Sequence, residues 1–284
     1  MPLRVVRTTE EVRASLAVRR GRGMIGLVPT MGALHAGHAR LIEHARLDCR
    51  TVVVSIFVNP LQFDRADDLA RYPRPLDADL SLCEALGVDI VFAPAPEEIY
   101  PEPPDCTVHV GRTAEHLCGA FRPGHFDGVA TVVLKLFNIV EPEVAFFGEK
   151  DAQQLAIIRR MVADLNVPVT IAPVPTVREG DGLALSSRNQ RLNEAERALA
   201  PALFRALVSA RDAVVAGETQ AEAVKRGAAG TIPADERLRL EYLELVDPRT
   251  FQPVQRIAGP VVAAGALWVG STRLIDNVLC IPPA

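Results

Sequence analysis

Aromatic residues make up only 5% of the 284-residue chain, with a single Trp. That is too few for the stacking platform on which single-stranded nucleic acid is held. An excess of positive charge is missing as well. The 31 Lys and Arg face 35 Asp and Glu, a formal net charge of −4, which leaves no basic field for a phosphate backbone. The five cysteines, at positions 49, 83, 106, 118 and 280, form no Cys-Xaa-Xaa-Cys pair. Neither a zinc ribbon nor a dithiol redox motif is offered, and reduced thiols are the expectation. No apolar run reaches the roughly 18 residues of a membrane helix; the longest, residues 259–269, is short and interrupted by Gly and Pro. Arg4, Arg7 and Glu10 make the opening stretch too polar for a signal h-region. The expectation is a soluble cytoplasmic protein with no nucleic-acid or membrane partner.

What is present is ordinary globular composition, 49% apolar and 23% charged, in a length that allows one large domain or two unequal ones. Five short apolar runs rich in β-branched or aromatic residues, 24–28, 51–58, 89–92, 143–147 and 167–172, read as buried strands. Segments with helical spacing lie among them at 36–48, 78–86, 127–140 and 151–165. This alternation predicts an α/β fold with a parallel sheet covered on both faces. Residues 93–104, with five prolines, read as a loop. Composition shifts near position 175, so the domains are expected at 1–175 and 176–284. In the second, Asn193 and Glu196 make a capping-box pair for a helix over 193–215 that ends at Gly217, and another helix is expected over 220–229. Strands follow at 237–246, 261–268 and 273–279, giving a smaller α+β domain. In the first of these strands Arg239, Glu241 and Glu244 interleave with apolar residues, as in a half-exposed antiparallel strand.

The most informative stretch is Pro29-Thr30-Met31-Gly32-Ala33-Leu34-His35-Ala36-Gly37-His38, which follows an expected strand and opens an expected helix. Ligands of open α/β sheets bind at such carboxyl edges. Gly32 and Gly37 allow close backbone approach, and the helix start favours an anion. His35 and His38, three apart, can face one phosphate and donate N–H bonds as charge develops there. A histidine at a helix start also serves as a plain cap. Neither a Walker loop nor a dinucleotide fingerprint is present; Gly21-Arg22-Gly23 precedes the strand instead of following it.

Four further groups have the same placement or company. Phe147-Gly148-Glu149-Lys150-Asp151 is a strand end before a helix. Lys150 suits a phosphate oxygen, and Asp151 suits a helix cap or a magnesium shell. Leu185, Ser186, Ser187, Arg188 and Asn189, after Asp181-Gly182, offer two hydroxyls and a guanidinium in a loop, read either as a phosphate clamp or as a turn and cap. Asn59 and Gln62 sit beyond the strand ending at Pro60, where neutral amides can fix a polar small molecule. Arg122 and His125 precede a helix; Arg122 suits a carboxylate or phosphate. Cys118 and the Phe146-Phe147 pair read as packing groups.

Together with Arg71-Tyr72-Pro73-Arg74 and Arg273-Leu274-Ile275-Asp276-Asn277, these ordered motifs resemble the pantoate–β-alanine ligase (pantothenate synthetase) family over nearly the whole chain. The resemblance implies a Rossmann-like nucleotidyltransferase domain, a smaller C-terminal domain that acts as a lid, and a homodimer. It implies condensation of pantoate with β-alanine, with ATP and Mg²⁺, through a pantoyl-adenylate to pantothenate, AMP and pyrophosphate. Carried over by motif, residues 31–38, Gly148, Glu149, Lys150, Asp151, Val177, Leu185, Ser186, Ser187 and Arg188 would hold ATP. His38, His35, Lys150 and Arg188 would be catalytic. Gln62 and Gln154 would read pantoate and β-alanine, with Asn59, Tyr72 and Arg122 contributing. Mg²⁺ would bind mainly through the ATP phosphates, with Asp151 as a weak protein ligand; no organic cofactor is implied. Cys118, Ala152 and Gly180 depart from the family pattern.

The chemistry is consistent with that implication. Pantoate is ionised near neutrality and needs positioning and phosphate neutralisation, not a base, to attack the α-phosphorus. No motif residue is an evident base for the β-alanine amine. Two alternatives stay open on the residues alone. A nucleotidyltransferase that stops at an AMP ester would want a basic pocket where Asn59, Gln62 and Gln154 are neutral. A non-catalytic nucleotide sensor would not need His38, Lys150 and Arg188 together.

Overall fold

The computed structural model describes residues 2–64 and 66–283. Six strands form one parallel sheet: β1 (Arg4–Val6), β2 (Ile25–Thr30), β3 (Thr51–Ile56), β4 (Ile90–Phe92), β5 (Val144–Gly148) and β6 (Thr170–Val174). Their order is β1-β4-β3-β2-β5-β6. The chain therefore winds outward from β2 in one direction and then from β5 in the other, and strand order reverses between these two neighbours. Crevices at such a reversal are where open α/β sheets take ligands. The central strands are buried because helices cover the sheet. The Ala36–Asp48 helix lays Leu41, Ile42 and Ala45 on Val28, Val52 and Val54. The His125–Val140 helix is apolar along most of its length and buries Val129, Val133, Leu136 and Phe137. The α/β expectation and its strands hold, with boundaries moved by a few residues. The Thr9–Ala17 helix and β1 escape the apolar-run reading because β1 has only three residues; the helix start was marked by the Thr8–Glu11 capping box. The proline-rich 93–104 segment contains one helical turn, Pro96–Ile99, with Pro in its first position, where a missing N–H does no harm.

The chain divides into two compact units. One comprises residues 1–110, 122–149 and 157–175; the other comprises 111–121, 150–156 and 176–284. Segments 111–121 and 150–156 thus group with the second unit, whereas the sequence alone assigns them to the first. The reason is packing: Leu117, Ala152 and Ala156 join Val246, Phe251, Val262 and Ala264 in one apolar cluster. In this unit β7 (Leu238–Val246), β8 (Val261–Val269) and β9 (Thr272–Cys280) form an antiparallel sheet. Its other face packs on the Ala202–Val215 and Ala221–Ala229 helices. The helix expected over 193–215 is two helices, Glu194–Leu199 and Ala202–Val215, divided at Pro201, whose ring cannot continue a helix. The Asn193–Glu196 capping box forms as expected. Register between β7 and β8 shifts at Leu240/Tyr242, so Glu241 has no partner across the ladder. Its carboxylate turns inward, not to solvent as alternation suggests, and accepts from Trp268 Nε1 (2.8 Å) and Arg273 Nε (2.8 Å).

Candidate functional site

Residues 31–38 form a turn with unusual backbone. Gly32 has φ of +80° and Ala33 φ of +51°, and a side chain as large as Ala rarely occupies that region. The turn is held from below. Asp79, buried in the Leu76–Ala85 helix, accepts from Ala33 N–H at 2.9 Å and Leu34 N–H at 2.7 Å. Burial raises the Asp79 carboxyl pKa, while these two N–H groups pull it down. A Cβ on Gly32 would lie 2.9 Å from the Asp79 carboxylate, so the position needs glycine for space as well as for φ. Asp79 is a support of this turn that motif reading missed; its signal was an acidic residue inside a helix with no local partner to explain it.

His35 is the N-cap of the Ala36–Asp48 helix, and its Nδ1 accepts from Gly37 N–H at 3.1 Å. His38 Nδ1 accepts in turn from His35 N–H at 3.3 Å. The two rings lie 4.1 Å apart. The capping and ligand readings of these histidines are therefore compatible. Capping uses Nδ1, which places the hydrogen of each neutral ring on Nε2 and makes that edge a donor.

The amide pair is equally ordered. Asn59 Nδ2 donates to Gln62 Oε1 (3.1 Å) and Gly128 O (3.0 Å), and Asn59 Oδ1 accepts from Tyr100 O–H at 3.0 Å and Leu61 N–H at 3.4 Å. All four hydrogen-bonding positions of this buried amide are used. Gln62 Nε2 also donates to Met31 Sδ at 3.0 Å, tying the amide turn to the glycine turn. The Pro60–Gln62 turn lies so close to the His125–Val140 helix that a Cβ at Gly128 would come within 2.4 Å of Leu61 O. Arg122, expected to meet a ligand anion, also holds this loop. It donates to Gln62 O (3.1 Å), Asp64 (3.0 Å) and His125 Nε2 (3.1 Å), and His125 Nδ1 donates to the same carbonyl at 2.7 Å. Burial raises the Asp64 carboxyl pKa, but the Arg122 charge and bonds outweigh it and hold the group below its usual value. Tyr72 is buried edge-on to Phe63, with ring centroids 5.7 Å apart.

The Glu149–Asp151 turn follows Gly148 at the end of β5, and from Lys150 the chain enters the second unit. Lys150 Nζ lies 3.7 Å from Asp151 Oδ1. The two glutamines after it divide their roles. Gln153 is buried and structural, donating to Thr113 O (2.9 Å) and His116 O (2.8 Å) and accepting from Cys118 N–H at 3.0 Å. Gln154 is half-buried, and among the described residues its amide has no hydrogen-bond partner. Val177 O accepts from Leu185 N–H at 3.0 Å, and Arg178 pairs with Ala184, so residues 177–185 form a small hairpin. It delivers Ser186, whose Oγ accepts from Arg188 N–H at 3.2 Å and caps the Ser187–Arg191 turn. Cys118, read as a packing group, is buried, and its Sγ also lies 3.2 Å from Tyr242 Oη.

A parallel sheet whose order reverses between β2 and β5, with paired imidazoles after the first strand and a lysine turn after the second, is an open α/β sheet of the kind that takes ligands at its carboxyl edge. The family model described as pantoate-beta-alanine ligase matches residues 4–279. A pantothenate synthetase of Moorella thermoacetica is 51% identical over 98% of this chain and 98% of its own length. A bifunctional pantoate ligase/cytidylate kinase of Synechococcus is 50% identical over 98% of this chain, which spans 52% of that longer protein. The crystal structure of pantothenate synthetase from Thermus thermophilus superposes with a TM-score of 0.91 at 46% identity, covering 97% of this chain and 98% of the other. A Francisella tularensis pantoate-beta-alanine ligase, complexed with beta-gamma ATP and beta-alanine, superposes at 0.79 with 32% identity, covering 98% of this chain and 97% of the other. The chain belongs to the pantoate–β-alanine ligase family and is a ligase; ATP-dependent condensation of pantoate with β-alanine is that family's activity. No helix among the described residues is long and apolar enough to cross a membrane.

Proposed function

We propose that this chain carries out its family's reaction, joining pantoate to β-alanine with cleavage of ATP to AMP and pyrophosphate. The observation that carries the reading is the reversal of strand order between β2 and β5, where the paired histidines and the lysine turn begin. In the first half-reaction a pantoate carboxylate oxygen bonds to the α-phosphorus and the bond to pyrophosphate breaks. Residues 31–38, Gly148, Glu149, Lys150, Asp151, Val177, Leu185, Ser186, Ser187 and Arg188 bind ATP. His35 and His38 present Nε2–H to phosphate oxygens, while Lys150 and Arg188 neutralise charge that grows on pyrophosphate. Gln62 and Gln154 read pantoate; Asn59 and Arg122 act by holding Gln62, and Tyr72 lines the same turn. In the second half-reaction the neutral β-alanine amine attacks the acyl carbon, AMP leaves with the bonding pair, and the amine gives up a proton.

Mg²⁺ is proposed to be carried on the ATP phosphates, with the half-exposed Asp151 carboxylate offered beside Lys150. When bound, it neutralises phosphate charge. The acyl-adenylate is a mixed anhydride that water would destroy, so residues 1–175 are read as the catalytic part and 176–284, with Arg188, as its lid. A cytoplasmic homodimer completes the proposal, supported by the family resemblance; light scattering returning a monomer mass would refute the dimer. Phosphorus NMR of the products tests the reaction itself. AMP and pyrophosphate are expected, with AMP accumulating only when pantoate, β-alanine and Mg²⁺ are all present, and ADP with phosphate would overturn it.

A further inference from the structure

The motif Arg273-Leu274-Ile275-Asp276-Asn277 has no role in the scheme above, yet it lies in β9, an edge strand of the second unit's sheet, and makes several polar contacts. Asn277 Nδ2 donates to Lys150 O at 2.9 Å. Next to it, Asp276 takes a two-pronged bond from Arg178, Nη1 at 2.6 Å and Nη2 at 2.9 Å, and also accepts from Asn277 N–H at 2.8 Å. Arg178 opens the 177–185 hairpin. Its Nη1 also donates to Gly182 O at 3.0 Å, and its guanidinium lies 4.1 Å over the Phe204 ring. Arg197 ties down the same hairpin, with 2.6 Å bonds to Glu179 and to Asp181. Two adjacent residues of β9 therefore grip the backbone behind Lys150 and the base of the hairpin that delivers Ser186, Ser187 and Arg188.

Backbone geometry explains why that matters. A lysine has a long, flexible stem, so the place of its ammonium depends on where its backbone is fixed. A planar guanidinium in a two-pronged pair sets both distance and angle. Asp276 is buried, so its negative charge is matched and oriented by Arg178.

We propose that Asn277 and Asp276 are positioning residues for adenylate formation, Asn277 acting through Lys150 and Asp276 through the Arg178 hairpin and the 186–188 segment. This rests on the reading of Lys150 and Arg188 as phosphate-facing groups. Misplacing a reacting group by about an ångström can cost up to about a hundredfold in rate. Asn277→Ala is therefore expected to lower kcat by roughly tenfold or more, with the KM for pantoate little changed, since pantoate is read elsewhere.

The test is a double-mutant cycle of Lys150→Ala and Asn277→Ala, measuring kcat, both KM values and thermal unfolding. If Asn277 acts through Lys150, the double variant is no slower than Lys150→Ala alone. Losses that multiply, or an Asn277→Ala enzyme with wild-type kcat, overturn the proposal. A Lys150→Ala enzyme with wild-type kcat overturns the underlying reading of Lys150 and the proposal with it, and is told apart because Lys150 itself is then dispensable. Asp276→Asn keeps the shape but removes the charge. Its loss should appear in kcat and in the KM for ATP, and Arg178→Lys should reproduce it in kind. Should Asp276→Asn fail to fold, Arg178→Lys and the Asn277 cycle carry the test. A change confined to unfolding temperature in all of them would show the network to be structural only.

Discussion

The two units fix their working side chains by different means. Around Gln62 the side-chain amide is held by neutral groups, an asparagine amide backed by a tyrosine hydroxyl and a thioether, while Arg122 and His125 donate to its backbone carbonyl. Around the 177–188 segment they are ionic: Arg178 on Asp276 and Arg197 on Glu179 and Asp181. The difference follows from what each side chain does in the proposed reaction. The amide proposed to read pantoate is tied side chain to side chain by neutral partners, whereas the loop proposed to face phosphates is tied at its base by guanidinium–carboxylate pairs.

The largest effect is expected at the phosphate edge itself. His38→Ala should lower kcat/KM by at least about a hundredfold, the scale for one preorganised donor, with a small drop in unfolding temperature from the lost capping bond to His35 N–H. A loss below about threefold would remove His38 from the phosphate edge. The neutral side responds differently. Gln62→Ala should weaken pantoate by about 1–3 kcal/mol in binding and leave the KM for ATP near wild type. Asn59→Ala should produce the same selective loss and a lower unfolding temperature as well, because Tyr100 O–H and Gly128 O lose their partner. Equal changes in both KM values would mean that these amides support the fold and read nothing.

Smaller effects sharpen the picture. Asp79→Ala leaves the N–H groups of Ala33 and Leu34 unpaired and should destabilise by about 1–3 kcal/mol. Adding Ala33→Gly, which relaxes the positive φ, should recover part of the lost stability, and no recovery would show that strain in this turn is unimportant. The Asp64–Arg122 pair gives a pH signature. Its folded carboxyl pKa lies below the usual value, so its stabilisation is complete above the unfolded value near 4 and fades as pH falls through the folded one. The stability gap between wild type and Asp64→Asn should therefore shrink on acidification; a gap constant from neutral to acid pH would contradict the pairing. Thiol labelling is the mildest probe. Cys106 is exposed while Cys49, Cys83, Cys118 and Cys280 are buried, and burial pushes the Cys49 and Cys83 thiols up to about 11 and about 12. One thiol per chain should react quickly in the native protein.

Most of the sheet and the turns at its edge were legible in the sequence, because strand ends followed by Gly-rich or capping residues are local signals. The 31–38 turn, the lysine turn and the Asn193 cap are of this kind. Other features depend on partners distant in sequence. Arg122 reads only as a ligand group until Gln62 O and Asp64 lie beside it. Glu241 reads as solvent-facing until a bulge turns it toward Arg273. Segments 111–121 and 150–156 join the second unit through apolar contacts with β7 and β8 that no local pattern encodes. Asp79 and Asn277 act on backbone more than 40 residues away.

In the proposed reaction the amides and the phosphate-facing groups together complete the first half-reaction before the amine arrives. Isotope exchange tests it directly. With ATP, Mg²⁺, pantoate and labelled pyrophosphate, and with no β-alanine, label should enter ATP at a rate that depends on pantoate and that falls by about a hundredfold in His38→Ala. No exchange, under conditions where the complete mixture forms pantothenate, would contradict the account.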